Sequence, residues 1–167
     1  FGNFAKEMGM LVECDATAIG LVDPEAQTVT LAYQIGVAGQ GWEVDEPAPL
    51  SDVLMKQVVG LGNTISGNRQ SLDPEHASLN DENGAGSMLI APLRQNNEVF
   101  GLLGLFCEGP HAYSEDDENF VELVADQIAG AVANAQLYAQ LRDAEELQTH
   151  LAQESAVMAE VGRVVSS

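Results

Sequence analysis

The apolar residues at the start of the chain change their spacing near residue 15. Before that point, Phe4 and Met8 belong to a three- and four-residue repeat with charged residues between its members, which predicts an amphipathic helix that ends near Cys14. Beyond it, apolar residues alternate with small or polar ones over 19–21 and 29–35, as in half-buried strands. The first third of the chain is therefore predicted to form one helix followed by two antiparallel strands.

Turn-forming and polar residues divide the middle of the chain. Ser51 is placed to cap a short helix that carries Leu54 and Val58 on its apolar side. Residues 64–66 favour a brief strand. Residues 67–86 are polar and aperiodic, and a loop of this length inside a compact domain is commonly functional or disordered.

The clearest hairpin in the sequence follows this loop. Apolar runs over 88–94 and 99–107 flank a polar turn at 95–98. Pro92 lies within the first run, and a proline in a strand predicts an edge position or a local irregularity.

From Ser114 to the end of the chain the apolar spacing is helical and no proline interrupts it. Ser114 is a suitable N-cap, and the four acidic residues after it suit the positive end of the helix dipole. Up to Tyr138 the apolar face is broad enough to lie on a sheet. It then narrows to alternating three- and four-residue steps if Glu154 is accepted as one polar member. This spacing predicts a coiled-coil seam formed by Ala144, Leu147, Leu151, Met158, Val161 and Val165. At ~1.5 Å per residue such a helix would be about 80 Å long, so we expect it to project and to find a partner.

Composition and charge restrict the possible partners. The chain has 167 residues, 46% of them hydrophobic, which suffices for one core and an appended segment. There are 26 acidic residues against six Lys and Arg, a net charge of −20 that argues against binding to nucleic acid or to anionic membranes. The longest apolar run is about half the ~20 residues that cross a bilayer, and no secretory leader pattern opens the chain. We therefore expect a soluble, cytoplasmic protein.

The sequence shows no pattern of metal ligands or catalytic groups. Cys14 and Cys107 are too few for a disulfide framework and lack the C-x-x-C spacing, so we expect both to be reduced. A nucleophile with its base, or a carboxylate pair with a reason to differ in pKa, is likewise missing from the pattern. The prediction is that the chain is not an enzyme and holds no metal.

The order of these elements resembles the GAF domain family, the small-molecule sensory modules of signalling proteins. The resemblance rests on the Ala91-Pro92-Leu93 segment, the strand over 100–105, and the helical residues 120–138 with Gln127-Ile128-Ala129. It covers most of residues 1–138, and residues 158–167 are similar to the helical entry of a following sensory domain. We thus expect a GAF-like sensory domain at 1–138 and a coiled-coil linker helix at 139–167 that leads to a downstream domain.

The resemblance implies an α+β fold. In that fold an antiparallel sheet carries the N- and C-terminal helices on one face, while loops and a short helix enclose a pocket on the other. Members of the family bind cyclic nucleotides, linear tetrapyrroles, haem or small metabolites. They pass a change of state along the exit helix to an output domain, such as that of a sensor histidine kinase in a two-component system.

Two of these ligand classes, and one catalytic subclass of the family, fit the sequence poorly. Asn68-Arg69 begins the cyclic-nucleotide motif, but the acidic pair that should follow a phenylalanine is missing. The cysteines precede Asp15 and Glu108 rather than the histidine of tetrapyrrole-binding members. Two cysteines are also fewer than the set used by members that reduce free methionine sulfoxide. The cofactor is therefore left unassigned.

Six residues are candidates for ligand binding, and each has a plainer alternative. Arg69 suits a carboxylate or phosphate, although an ion pair with one of the many acids would also explain it. His76 lies in the 67–86 loop and could equally be an exposed loop residue. The indole of Trp42 could wall the pocket or serve as a hydrophobic plug. The remaining candidates are Tyr33, which also fits the core, and Ser66 and Ser87, whose hydroxyls could instead satisfy backbone groups.

The leading hypothesis is a sensory domain that binds a small anionic or neutral metabolite under the 67–86 loop and forms a homodimer through its C-terminal helix. The alternative is a degenerate domain that acts as a dimerisation and relay scaffold without a ligand. An open polar cavity beneath the loop would favour the first hypothesis. A sealed apolar interior would favour the second.

Overall fold

The computed structural model describes residues 2–36, 44–74, 86–110 and 112–166. They form three α-helices, six strands and one π-helix. In chain order these are α1 (Gly2–Leu11), β1 (Ala16–Asp23), β2 (Thr28–Ile35), β3 (Pro47–Pro49), the π-helix (Leu54–Gly60), β4 (Ile65–Asn68), α2 (Arg69–Leu72), β5 (Ser87–Gln95), β6 (Glu98–Cys107) and α3 (Glu115–Ser166).

The strands form one antiparallel sheet in the order β3-β2-β1-β6-β5-β4. The predicted hairpin over 88–107 is confirmed as β5 and β6, with Gln95 opposite Glu98. Asn96 and Asn97 both have positive φ, as a two-residue type I′ turn requires, and asparagine tolerates that conformation better than most residues. The fold class is the predicted α+β.

Pro92 lies inside β5, in a position where its missing N–H costs little. β4 pairs with β5 only from Ser87 to Ile90, so beyond Ile90 the strand has β6 as its ladder neighbour and its other side is an edge. The expected irregularity is present as a register shift between Leu93 and Arg94. This shift lies directly before Arg94, the second-to-last residue of β5.

The sheet has two distinct faces, because side chains alternate along each strand. On the cluster face, Ala16, Phe106 and Met88 are cross-strand neighbours and pack in an apolar cluster with Leu54 and Val58 of the π-helix. The helix face carries the alternate residues, with Ile19, Leu103 and Leu105 among them. Ser66 pairs with Leu89, which is opposite Leu105, and its hydroxyl donates to Glu118 of α3. This contact places α3 on the helix face.

Two element boundaries differ from the predictions, and one short helix was not predicted. α1 ends at Leu11 rather than near Cys14. β4 extends to Asn68, into the segment predicted as loop, because pairing with β5 supplies its hydrogen bonds. The four-residue α2 then follows within the same predicted loop, with the Asn68 side chain accepting a hydrogen bond from the amide of Gln70 as an N-cap.

The chain comprises two compact units, Phe1–Ala129 and Gly130–Ser167. The apolar face that the sequence predicts for α3 up to Tyr138 comprises Phe120, Leu123, Val124, Ile128, Ala131, Val132 and Ala135. Val124 is buried, but Leu123 is 58% exposed. Val121 and Ala125, which lie outside the predicted face, are fully buried instead. In the second unit, every described residue from 139 to 166 is exposed. Within the described part of the chain, no helix has an apolar stretch of the length and composition needed to cross a membrane.

Candidate functional site

The cluster face is the face on which the sequence predicts a pocket, and its described part is filled by apolar side chains. Leu54, Val58 and Met88 are fully buried, and Ile65 and Leu72 pack against them at the margin. The predicted loop residues 75–85 lie outside the described residues. Whether the space beneath this loop is an open polar cavity or a sealed apolar interior therefore stays a prediction.

The π-helix is fixed over the cluster at its N-terminal side by Ser51. The Ser51 hydroxyl accepts a hydrogen bond from the Leu54 amide at 3.3 Å and donates to the carbonyl of Leu72 in α2 at 2.6 Å. Ser51 is itself buried, so this hydroxyl satisfies two backbone groups that water cannot reach. The predicted capping role of Ser51 is confirmed, and the same side chain joins the π-helix to α2.

Arg69 lies on the cluster face, where it meets an aromatic ring. Its guanidinium carbon is 5.5 Å from the centre of the Phe106 ring, within the range of a cation–π contact. The ring lies over Gly104, since a Cβ added there would come within 2.9 Å of the Phe106 ring carbons. The small residue two positions before Phe106 thus makes space for the ring that supports Arg69.

Arg69 is also the first residue of the segment that connects β4 to β5, residues 69–86, which we call the excursion. Its amide donates to the carbonyl of Gly86 at 2.8 Å, and Asn68 pairs with Ser87 in the adjoining ladder. The two ends of this excursion are therefore joined by backbone hydrogen bonds beside the Arg69 side chain. Arg69 thus lies on the cluster face at the point where the excursion leaves and rejoins the sheet.

The structure divides the other predicted site residues between the two faces. Tyr33 is opposite Ile19 on the helix face, and its hydroxyl would lie 3.4 Å from a Cβ added at Gly2 of α1. Ser66 and Ser87 are on the same face, the former bonded to Glu118 and the latter donating to the carbonyl of Gly109 at 3.2 Å. Arg69 is separated from these three by the sheet. Trp42 and His76 lie outside the described residues.

Ser66 and Ser87 do share a shallow cavity on the helix face. It has a volume of about 420 Å³ and is lined also by Asn68, Tyr113 and the backbone near Pro110. The Ser87 hydroxyl satisfies a backbone carbonyl, which is the plainer alternative given for it, whereas the Ser66 hydroxyl donates to the side chain of Glu118. The sequence signal for these serines was their position at the ends of the loop, which the structure shows to be strand positions in β4 and β5.

The buried Cys107 and the partly buried Tyr113 form a small polar group with the backbone of Glu13. The Cys107 thiol donates to the carbonyl of Glu13 at 3.1 Å and lies 3.3 Å from the Tyr113 hydroxyl. Burial raises the pKa of the Cys14 thiol, although a hydrogen bond with Thr17 opposes this, and burial also raises the pKa of Tyr113 well above its ordinary value. Both cysteines are free thiols, and Cys14 is a poor nucleophile near neutral pH. The described residues hold no group of three or more His, Cys, Asp or Glu side chains that could ligate a metal.

Sequence reasoning missed Arg94, which contacts two carboxylates of α3. Its guanidinium donates to Glu122 at 3.0 Å and to Asp126 at 3.2 Å, and it also donates to the carbonyl of Gly62. A usable signal was present: Arg94 is one of only six basic residues, and it follows Pro92 at the end of an apolar strand.

Comparisons with known proteins give one family. The model of the GAF domain family matches residues 1–132. No curated protein sequence matches this chain.

Solved structures share the fold at low sequence identity. The GAF domain of a two-component sensor histidine kinase from Bacillus halodurans is 20% identical, with 83% of this chain and 94% of that chain covered and a TM-score of 0.64. The GAF domain of a phosphoenolpyruvate-protein phosphotransferase from Coxiella burnetii is 17% identical, with 82% of each chain covered and a TM-score of 0.63. A type II free methionine-R-sulfoxide reductase from Thermoplasma acidophilum is 18% identical, with 80% of this chain and 91% of that chain covered and a TM-score of 0.59. At these identities the likeness concerns the fold.

Proposed function

The chain belongs to the GAF domain family, and we propose that it is a regulatory module that senses a small molecule in a signalling protein. In this proposal the ligand binds on the cluster face, beneath the predicted 67–86 loop. The change is passed along α3 to an output domain in the cytoplasm. The module itself performs no catalysis.

The observation that carries the ligand proposal is the position of Arg69. Its guanidinium lies over the Phe106 ring, at the point where the excursion leaves and rejoins the sheet. A guanidinium with one flat side on a ring can still donate from its edge to a carboxylate or phosphate. Because the chain carries a net charge of −20, most of its surface repels anions, and a cation at this base is a specific place for one.

The ligand class that fits is a small anionic metabolite, with a neutral polar metabolite as the weaker fit. A thermal-shift screen of the full chain against nucleotides, keto acids and amino acids tests this class. A ligand that binds only the native state stabilises it by about 2.7 kcal/mol at a hundredfold excess over Kd, which gives a readily measured rise in Tm.

A matched pair of variants locates the site. Arg69→Gln should reduce the Tm rise of any anionic hit, because it removes the charge at the cluster face. Arg142→Gln removes the same charge from an exposed position on α3 and should leave the rise unchanged. If both variants respond like the wild type, the ligand binds elsewhere and Arg69 is not its anchor.

The second candidate function is a scaffold without a ligand, and the packing of the cluster face favours it. Leu54 and Val58 of the π-helix and Met88 of β5 are fully buried in one apolar cluster, and burial of apolar side chains on this face is what a sealed interior requires. A flat response to the whole ligand panel, together with a stable dimer, is the result expected of a scaffold.

Both candidates include a homodimer formed by the C-terminal part of α3. Leu147 and Leu151 are 59% and 52% exposed, and Met158 is 72% exposed, at the predicted seam spacing. Exposed apolar residues at three- and four-residue steps are buried when a second helix of the same kind packs along them. We propose that the occupant of this seam is a second copy in parallel orientation, because a downstream output domain needs the two chains to exit together.

A further inference from the structure

Arg94 connects elements that lie on opposite faces of the sheet. Its side chain bonds Glu122 and Asp126 of α3 on the helix face. The same guanidinium donates to the carbonyl of Gly62, which lies directly beyond the π-helix of the cluster face. Gly62 has a φ of 69°, a left-handed conformation that favours glycine and turns the chain here.

Besides Arg94, two hydroxyl side chains bond residues 62–66 to α3. The Thr64 hydroxyl donates to the second carboxylate oxygen of Glu122 at 3.2 Å, and the Ser66 hydroxyl donates to Glu118 at 2.6 Å. Glu118, Glu122 and Asp126 are spaced four residues apart, so they form one row on the helix. We call this set of contacts, from residues 62–66 and Arg94 to the acidic row, the polar latch.

The other end of the polar latch continues into an element of unusual geometry. The π-helix is seven residues long, and the hydrogen bonds at its end are irregular. The Leu61 amide bonds the Lys56 carbonyl five residues earlier, and the Asn63 amide bonds the Gln57 carbonyl six residues earlier. Between them, the Gly62 amide bonds the Val58 carbonyl four residues earlier. π-helical turns are rare and are found mostly at functional positions in proteins. A change in the packing of Val58 or Val59 against the cluster therefore reaches Gly62 through only a few backbone hydrogen bonds.

We propose that Arg94 is a positioning residue that couples the packing of the π-helix to the first half of α3, around the β4 edge of the sheet. The guanidinium fixes the Gly62 carbonyl and two carboxylates of α3 at once, so a shift of Gly62 changes the contacts of Glu122 and Asp126. This coupling is a property of the unliganded chain. It goes beyond the proposed function, since a scaffold would contain it as well as a sensor.

Hydrogen exchange in a double-mutant cycle tests the coupling on the full chain. Val59→Ala disturbs the half-buried side of the π-helix, and exchange is followed in the amides of 116–128. With Arg94 present, Val59→Ala should accelerate exchange in this part of α3 about threefold to tenfold, the range of one weakened charge-assisted hydrogen bond that is partly exposed. In the Arg94→Gln background the same Val59→Ala change should have no further effect, because the contact that transmits it is gone.

Two further variants separate coupling from a simple loss of stability. Arg94→Lys keeps the charge but loses the planar fork, so it should retain only part of the Val59→Ala effect. Arg142→Gln removes a guanidinium from the second unit and should leave the full effect in place. The proposal is overturned if Val59→Ala accelerates exchange in α3 equally with and without Arg94, or if it never accelerates exchange there.

Discussion

The two compact units bury their apolar side chains in different ways. In Phe1–Ala129, residues such as Leu54, Val58 and Leu103 are fully buried within the unit itself. In Gly130–Ser167, apolar residues of the same type remain exposed, with Leu147 and Val161 among them. A sheet covered on two faces can satisfy its own hydrophobic residues, whereas one helix cannot. The first unit thus buries its own apolar side chains, whereas the second leaves them exposed, as the proposed homodimer requires.

The largest expected effect comes from the same substitution made in each unit. Leu54→Ala should lower the free energy of unfolding by about 2–5 kcal/mol, since it removes a fully buried side chain and leaves a cavity in the cluster. Leu151→Ala should change it by no more than ~0.5 kcal/mol at a concentration at which the chain is monomeric. Urea unfolding followed by circular dichroism measures both. Equal losses would mean that the two units do not differ as described.

A glycine pair sharpens the comparison, because the sign of the effect should reverse. Gly104→Ala places a methyl group within 2.9 Å of the Phe106 ring and 3.1 Å of Ile90, so we expect a loss of about 1–3 kcal/mol from overpacking. Gly162→Ala has open space around it on α3 and should instead stabilise the helix by about 0.5–1 kcal/mol.

Thermal unfolding of the two glycine variants beside the wild type gives the answer. A neutral Gly104→Ala would show that the Phe106 ring can move aside without cost. In that case the ring would not hold the Arg69 guanidinium in a fixed position.

A pair of valines tests whether the second unit is an interface. Val161 lies on the predicted seam and Val157 lies beside it, and both are about half exposed or more. Val161→Asp should raise the Kd of the dimer at least tenfold, about 1.4 kcal/mol, while Val157→Asp should have a smaller effect. Analytical ultracentrifugation of both variants, and of the chain ended at Gln140, provides the measurement. A shortened chain that dimerises as well as the full chain would place the interface in the first unit.

The smallest expected effect is that of salt on the association. Between Ser114 and Ser167 there are 11 acidic residues against Arg142 and Arg163. Arg163 pairs with Glu160 of the same helix, and Arg94 of β5 pairs with Glu122 and Asp126, which leaves the charge of this stretch strongly negative. Two such helices repel each other, and the repulsion is screened beyond ~10 Å at 0.1 M salt and beyond ~3 Å at 1 M. The dimer should therefore tighten by a few-fold over this range. Weaker association at high salt would indicate that contacts between unlike charges across the seam dominate.

Much of the fold of the first unit could be predicted from local sequence pattern. The β5–β6 hairpin followed from two apolar runs and a polar turn, and the capping role of Ser51 followed from its position before an apolar repeat. β4 was predicted too short and α2 was not predicted at all, because the pairing of β4 with β5 and the Asn68 cap compete with the polar composition of that segment. Whether a polar segment forms a strand or a loop thus depends on the partner strand that the fold places beside it.

The candidate site was predicted less well, because residues near one another in sequence were assigned to one pocket. Arg69 and Ser66 are three residues apart, yet the structure places them on opposite faces of the sheet. In a strand, a change of one residue in register exchanges the two faces, so proximity along the chain says little about which face a side chain occupies.

The sequence by itself determined the helical and strand periods, the polar turn of the hairpin, the capping role of Ser51 and the apolar spacing at the end of α3, since each of these depends on residues within a few positions of one another. Only the tertiary structure decided that Arg94 joins Gly62 to Glu122 and Asp126, and that the Phe106 ring lies beneath Arg69. These contacts connect residues about 30 positions apart, and they exist because sheet pairing and the crossing of α3 fix the distances between them.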